Sequence, residues 1–367
     1  MSTTANNQPK YSVDFSKSKY ESRYDRILNI LYYSKEIPSD LHLHMYMSYD
    51  NFRKAISTLK SRGLIRRISK DRKLSYVLTL KGKKQTRLLN YMKYQDCLED
   101  EQYQYDVRHR SRRLQFAYLY ALFDRVGISY ETFRKPSLND VNIFDDHICF
   151  YTATDFKRSL KMDSISLKGS RVMGFLIGAG KIVAVYRTNQ ELKSFTSVEK
   201  LIPFFMKQRF SVSVNTAILI CNDSSAVADI SDRIIRNTGN DPKVGINTAD
   251  YRCFYVLPGD DTFLDRLKDI YADHTLDEQR IIRQYDIDTS EEDSEGRYRL
   301  KIGTGFIHDY PVLVCTGNVN MEVLKRFIRS ADLYQQYSYI LCKERDRDEL
   351  ENITRDYPIR VIAIDKE

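Results

Sequence analysis

A multidomain chain of mixed α+β and α/β architecture is what this sequence predicts, on three observations. Its 367 residues, 42% of them apolar, can fill two or three cores. Near the amino end a helical apolar stripe, a glycine and two short strand-like runs follow one another. From about residue 170, apolar strand-like runs alternate with amphipathic helical ones.

The elements follow in order. Residues 1–19 are polar, lack an apolar signal core and read as a disordered lead rather than a targeting peptide. Residues 24–35 place Ile27, Leu28, Ile30 and Leu31 on one helical face, and Pro38-Ser39 then punctuates the chain. Residues 40–47 read as a short second helix. Ser48 is placed to cap a third helix over 49–61 that ends at Gly63. Phe52, Ile56 and Leu59 stripe one face of it, while Arg53, Lys54, Ser57, Lys60 and Arg62 face elsewhere. Two strands, 64–68 and 76–80, flank the charged tip 69–73 and form a wing, and Lys81-Gly82-Lys83-Lys84 opens a further basic helix. Together these make a winged helix-turn-helix over 20–93.

Charge sharpens the expectation. Residues 51–92 carry thirteen Lys and Arg against one acid, Asp71, a net +12, whereas the whole chain nets +8. The other residues therefore sum to −4. Cations this dense on a small fold are the electrostatic footprint of a phosphate-backbone binder, with the third helix entering the major groove of duplex DNA and the wing tracking the neighbouring backbone. The candidate contacts are Asn51, Arg53, Lys54, Ser57, Lys60, Arg62, Arg66, Arg67, Lys70, Arg72, Lys73, Lys83 and Lys84. A winged helix used for protein contacts, or a solvated basic face, is the bland alternative. His42-Leu43-His44 matches the His-hydrophobic-His string of rolling-circle relaxases, but in a helix residues two apart point about 200° apart, so these read as ordinary histidines.

Residues 94–130 follow as an acidic linker and a long helix. The linker carries Asp96, Glu99, Asp100, Glu101 and Asp106. The helix, 107–126, starts basic (Arg108, His109, Arg110, Arg112, Arg113) and ends apolar before Gly127. Its first turns have two candidate partners, phosphate or the acidic linker. The remainder divides into an α/β domain (131–289) and a C-terminal α/β unit (290–367). A strand at 147–151 precedes a helix opened by Asp155. Strands 171–177 and 182–187 flank Gly178-Ala179-Gly180-Lys181. Helix 198–209, strand 216–221, helix 226–236, strand 253–257 and helix 262–271 complete the first unit. Strands 298–302 and 312–315, helix 321–330, strand 339–342, helix 346–354 and strand 359–364 make the second. The same order in both suggests a weak internal duplication of a hairpin–α–β–α–β unit, against coincidence of common α/β order. The acidic run 290–295 reads as a flexible joint.

That order is also the skeleton of a degenerate restriction-endonuclease-like core. Metal-dependent cleavage there needs an Asp on one hairpin strand and an (Asp/Glu)-x-Lys on the next. The strands RVMGFLI and IVAVYR carry neither, and Asp155-Phe156-Lys157 sits where a helix begins. No catalytic residue, metal or cofactor is therefore assigned. There is no G-x-x-x-x-G-K-[ST] either. Lys168, Arg171 and Lys181 near the hairpin form a candidate second anion site, with a solvated turn as the commoner explanation. Six scattered cysteines without a C-x-x-C pair suggest a reducing cytosol with neither disulfide nor structural zinc. Mean hydropathy is −0.50, and no apolar run approaches a membrane span.

The cadence YDRILNILYYSKEIPSDL…SYDNFRKAISTLKSRGLIRR…YVLTLKGKK, followed by RHRSRRLQFAYLYALF, resembles the replication-relaxation family, winged-helix proteins of bacterial plasmids and conjugative elements. FYTATDFKRSL and SRVMGFLIGAGKIVAVY resemble segments that follow such winged helices in Gram-positive mobile elements. The resemblance covers roughly residues 20–190 and supplies no catalytic residue. The resemblance implies DNA binding in plasmid replication, DNA relaxation or transfer. With the basic segment and the missing catalytic motifs, the reading is a cytoplasmic, non-enzymatic duplex-DNA-binding protein of a mobile genetic element acting in replication, transfer or transcriptional control. A homodimer on paired half-sites, and a protein partner held by the α/β region, fit that role. A metal-dependent endonuclease or relaxase, and an adaptor whose α/β domains bind another protein, are the competing readings.

Overall fold

The computed structural model describes residues 22–45, 47–70, 73–90, 110–131, 134–160, 171–188, 201–236, 251–292, 295, 298–299 and 301–364. The chain divides into two compact units, one of residues 1–163 with 173–181 and one of residues 164–172 with 182–367.

The first unit opens with helix α1 (Arg23–Ser34). Ser22 Oγ accepts the Asp25 N–H at its start, and Lys35, at φ 70°, ends it by returning its N–H to the Leu31 carbonyl. Strand β1 (Ile37–Pro38) follows, then one turn of 3-10 helix (Leu41–His44) and helix α2 (Tyr49–Ser61), capped by Ser48. Gly63, at φ 68°, turns the chain into the wing strands β2 (Ile65–Lys70) and β3 (Lys73–Leu78), and helix α3 (Leu80–Asn90) ends the module. Ile27, Leu28, Ile30, Leu31, Phe52, Ala55, Ile56 and Leu59 form the core under the three-stranded antiparallel sheet β1-β3-β2. A Cβ at Gly82 would stand 1.9 Å from the Leu64 carbonyl, so only glycine lets α3 start against β2.

Three expectations are corrected here. Pro38 is not punctuation: Ile37 and Pro38 pair with Tyr76 and Ser75 as a third sheet strand. Proline fits because it sits at an edge, where a missing N–H costs least. The second helix is a single 3-10 turn. The wing strands run further into the tip than residues 64–68 and 76–80, pairing as far as Lys70 with Lys73.

The long helix is α4 (Arg110–Val126). Arg110 and Arg113 are both buried against Glu36, which is itself fully buried just before β1. Arg110 Nε lies 2.7 Å from Glu36 Oε1 and Arg113 Nε 3.5 Å from Oε2. Arg110 also donates to the Ser75 hydroxyl and the Lys73 carbonyl, each at 3.0 Å. Two buried guanidiniums sharing one buried carboxylate bolt α4 to the base of the wing. The acidic linker and Arg108 and His109 lie outside the described residues.

Farther along α4, Asp124 pairs with Arg26 of α1. Burial outweighs the Arg26 charge and pushes the Asp124 carboxyl up to about 6 from 3.8. Between these values the folded unit holds a proton that the unfolded chain has released. That contribution to stability is therefore complete below about pH 4 and is lost as pH rises through 6. Asp124→Asn is expected to flatten this part of the stability profile; urea midpoints measured from pH 4 to 7 check it, and an unchanged slope refutes it.

The unit is completed by β4 (Cys149–Thr152), α5 (Ala153–Leu160) and β5 (Gly174–Gly178), with β4 and β5 antiparallel. Asp155 does open α5. It accepts the Thr152 N–H at 2.7 Å while its own N–H returns to Thr152 Oγ1 at 3.2 Å, a reciprocal capping box.

The second unit holds two parallel runs. In the first, β6 (Lys181–Arg187), α6 (Leu201–Phe210), β7 (Thr216–Ile220), α7 (Ser224–Arg236) and β8 (Cys253–Leu257) place β6, β7 and β8 side by side and parallel. Helices α8 (Phe263–Tyr271) and α9 (Thr275–Gln284) follow, the latter not foreseen from the sequence. In the second run, β9 (Gly305–Ile307) pairs antiparallel with β10 (Tyr310–Cys315). Helix α10 (Met321–Leu333), β11 (Ser338–Lys343), α11 (Glu344–Thr354) and β12 (Ile359–Ile364) then make β10, β11 and β12 parallel. The turn before β6 and the turn before β10 are alike. Ala179-Gly180 and His308-Asp309 have both residues at positive φ (49° and 74°; 46° and 67°), the signature of a tight two-residue hairpin turn.

The run 290–295 is fastened, not a flexible joint, among the described residues. Arg299 pairs with Asp288 and Asp309 and donates to the Glu292 carbonyl, and Glu292 bridges Tyr298. Charge pattern alone suggested a joint; the arginine that ties it back lies several residues downstream.

Candidate nucleic-acid interface

Helix α2 sorts its side chains by the 100° step of an α-helix. Phe52, Ala55, Ile56 and Leu59 are buried on one side. Arg53, Lys54, Ser57 and Lys60 are exposed within about 120° of one another on the other side. Asp50 shares that exposed face at the first turn, where a carboxylate offsets the positive end of the helix dipole. The burial that fixes the helix to its domain therefore also aims its cations at solvent.

Asn51 lies at the flank of this face and is engaged: its Oδ1 accepts from Arg23 at 3.0 Å. Arg23, exposed at the start of α1, was missed from the sequence because it precedes the basic segment and looks like an isolated helix-start charge. It sits 5.4 Å from the centre of the Tyr24 ring, and Arg62, beyond the end of α2, sits 5.7 Å from the same ring. A hydrogen bond with Thr58 is the main cause that lowers the Tyr24 hydroxyl pKa, with the two arginines adding to it. The two guanidiniums and the phenol make a polar cluster beside the helix face.

The wing extends the surface. Arg66 and Arg67 are both exposed on β2, opposite Val77 and Tyr76, and Lys73 is exposed where β3 begins. Lys84 is exposed on α3, while Lys83 is half-buried and has interactions of its own. The Lys70 side chain and all of Arg72 lie outside the described residues. The structure thus gathers Arg53, Lys54, Ser57 and Lys60 on one helix face, with Arg66, Arg67 and Lys73 on the wing. It places Asn51 and Arg62 at the flank.

Lys168 lies outside the described residues; Arg171 is exposed in the second unit and Lys181 is partly buried in the first. His42 packs its ring against Tyr49 and Phe52, whereas His44 is buried edge-on to Tyr118. The two imidazoles therefore have different neighbours and do not converge. No group of three or more His, Cys, Asp or Glu suited to a metal occurs among the described residues. Asp155 Oδ2 is shared by the Thr152 backbone, the Thr152 hydroxyl and Lys135 Nζ at 2.7, 3.0 and 2.8 Å, which occupies the carboxylate most tempting as a metal ligand. Cys149, Cys221, Cys253, Cys315 and Cys342 are free thiols. No helix among the described residues is long and apolar enough to cross a membrane.

Residues 18–99 match the winged helix-turn-helix family, which spans α1 through α3 and identifies the amino-terminal domain as one of that kind. No curated protein and no solved structure matches the chain at a significant level.

Proposed function

We propose that this protein binds duplex DNA through α2 and the wing, acts without catalytic chemistry, and serves a mobile genetic element in replication, transfer or transcriptional control. One observation carries the DNA reading: the cationic face of α2 lies opposite its packing face, within a winged helix-turn-helix whose wing is also basic. The link to plasmids and conjugative elements rests on the resemblance of the amino-terminal half to the replication-relaxation family. A non-enzymatic role is supported by the engagement of Asp155 in a helix cap and by the strands RVMGFLI and IVAVYR, which lack carboxylates. In this reading the α/β region holds degenerate restriction-endonuclease-like cores that serve assembly or partner recruitment. Their shared strand order and matching tight turns support an internal duplication.

The test is binding to duplex DNA across a salt series. Neutralising about five phosphates predicts a log–log slope of roughly −4 to −5. Binding with no salt dependence, or no binding, rejects the DNA reading. Magnesium-dependent nicking of supercoiled plasmid rejects the non-enzymatic one.

A further inference from the structure

The side of helix α2 that faces α1 carries a second row of polar side chains. Asn51, Thr58 and Arg62 fall within about 40° of one another round the helix, at the border between its buried stripe and its cationic face. The start of α1 lies against this row. Arg23 Nη1 donates to Asn51 Oδ1 at 3.0 Å, and the Tyr24 hydroxyl hydrogen-bonds Thr58. The Arg23 and Arg62 guanidiniums stand 5.4 and 5.7 Å from the centre of the Tyr24 ring, so one half-exposed phenol spaces two exposed cations.

The polarity of the row follows from Arg23. A guanidinium has hydrogens to give and no lone pair to offer, so the amide atom that faces it must be the oxygen. With that oxygen engaged, exposed Asn51 keeps only the two hydrogens of Nδ2 to give. Its side chain makes no other hydrogen bond among the described residues. Neither Arg23 nor Arg62 forms an ion pair among them, and Asp25 and Asp50, in the first turns of α1 and α2, pair with neither. The row therefore offers N–H donors and two uncompensated positive charges. An asparagine in the first turn of a groove-entering helix is placed to read adenine, but that contact needs the amide oxygen as well as the nitrogen. Here the oxygen is taken. Phosphate oxygens, which only accept and carry negative charge, match the row.

We propose that Arg23, Asn51 and Arg62 grip the phosphates of one DNA strand beside α2, so that Asn51 fixes the docking of the helix without reading a base. This rests on the duplex-DNA reading above. The full chain is used to select bound sequences from a randomised duplex pool, and the recovered duplex and unrelated ones are then titrated by fluorescence anisotropy at several salt concentrations. Arg23→Gln and Arg62→Gln are each expected to lower the log–log salt slope by about one and to weaken binding about tenfold, alike on every duplex. Arg62→Lys retains the charge and is expected to retain the slope. Asn51→Ala is expected to weaken all duplexes by the same factor and to select the same sequence as the parent. All three positions are exposed, and urea midpoints near that of the parent identify folded variants. The proposal is overturned if folded glutamine variants keep the parent's slope, or if Asn51→Ala changes the selected sequence, which makes Asn51 a base reader. A parent that binds no duplex overturns the DNA reading and this proposal with it, whereas a parent that binds with its slope untouched by the glutamine changes overturns this proposal alone.

Discussion

Reversing Arg53, Lys54, Arg72 and Lys73 together to glutamate is expected to reduce duplex-DNA affinity by at least about a hundredfold and to flatten its salt dependence, since each lost phosphate contact removes roughly one unit of log–log slope. Arg53, Lys54 and Lys73 are exposed, and the first two lie across α2 from Phe52, Ala55, Ile56 and Leu59. The changes at Arg53, Lys54 and Lys73 therefore alter charge without opening the core. The urea midpoint is expected to stay near that of the parent. Fluorescence anisotropy with a labelled duplex at several salt concentrations reads the effect. A folded variant that holds the duplex as tightly as the parent sinks the proposed interface. Arg23 offers a finer probe: Arg23→Ala frees Asn51 and removes one cation from the Tyr24 cluster.

The second large effect concerns the buried carboxylate at the base of the wing. Glu36→Ala leaves two guanidiniums, Arg110 and Arg113, buried without the charge they share, and Ser75 without the acceptor of its 2.6 Å hydrogen bond. Breaking one partner out of a buried pair costs about 3–5 kcal/mol, because the remaining charge stays desolvated. The first unit is expected to unfold at a correspondingly lower urea concentration. The triple variant Glu36→Leu with Arg110→Met and Arg113→Met removes all three charges and is expected to recover much of that loss, since apolar replacement of a whole buried ionic cluster is often neutral. Equal destabilisation of the single and triple variants refutes the assignment of the loss to an uncompensated charge. Because Arg110 also holds the Lys73 carbonyl, the single variant is expected to weaken DNA binding at temperatures where it remains folded.

Much of the amino-terminal domain was legible because local rules agree there. Ser48 caps α2, Gly63 ends it at a positive φ, and the Phe52–Ile56–Leu59 spacing can be satisfied by a helix but not by a strand. Asp155 likewise declared itself as a helix opener through the Thr-x-x-Asp spacing. What was misread depended on partners far away in the chain. Pro38 looks like a break until Ser75 and Tyr76 arrive beside it. The basic start of α4 looks like a phosphate contact until Glu36, 74 residues earlier, closes on Arg110. The acidic run near 290 looks loose until Arg299 pairs with Asp288 and holds the Glu292 carbonyl.

The sequence by itself determined that a dense cationic segment coincides with a winged helix, because charge density and helical period are both local properties. Only the tertiary structure decided which cations face solvent and which serve as internal bolts. An arginine's role is set by where the nearest buried carboxylate comes to rest, and no spacing rule places Glu36 against Arg110 and Arg113.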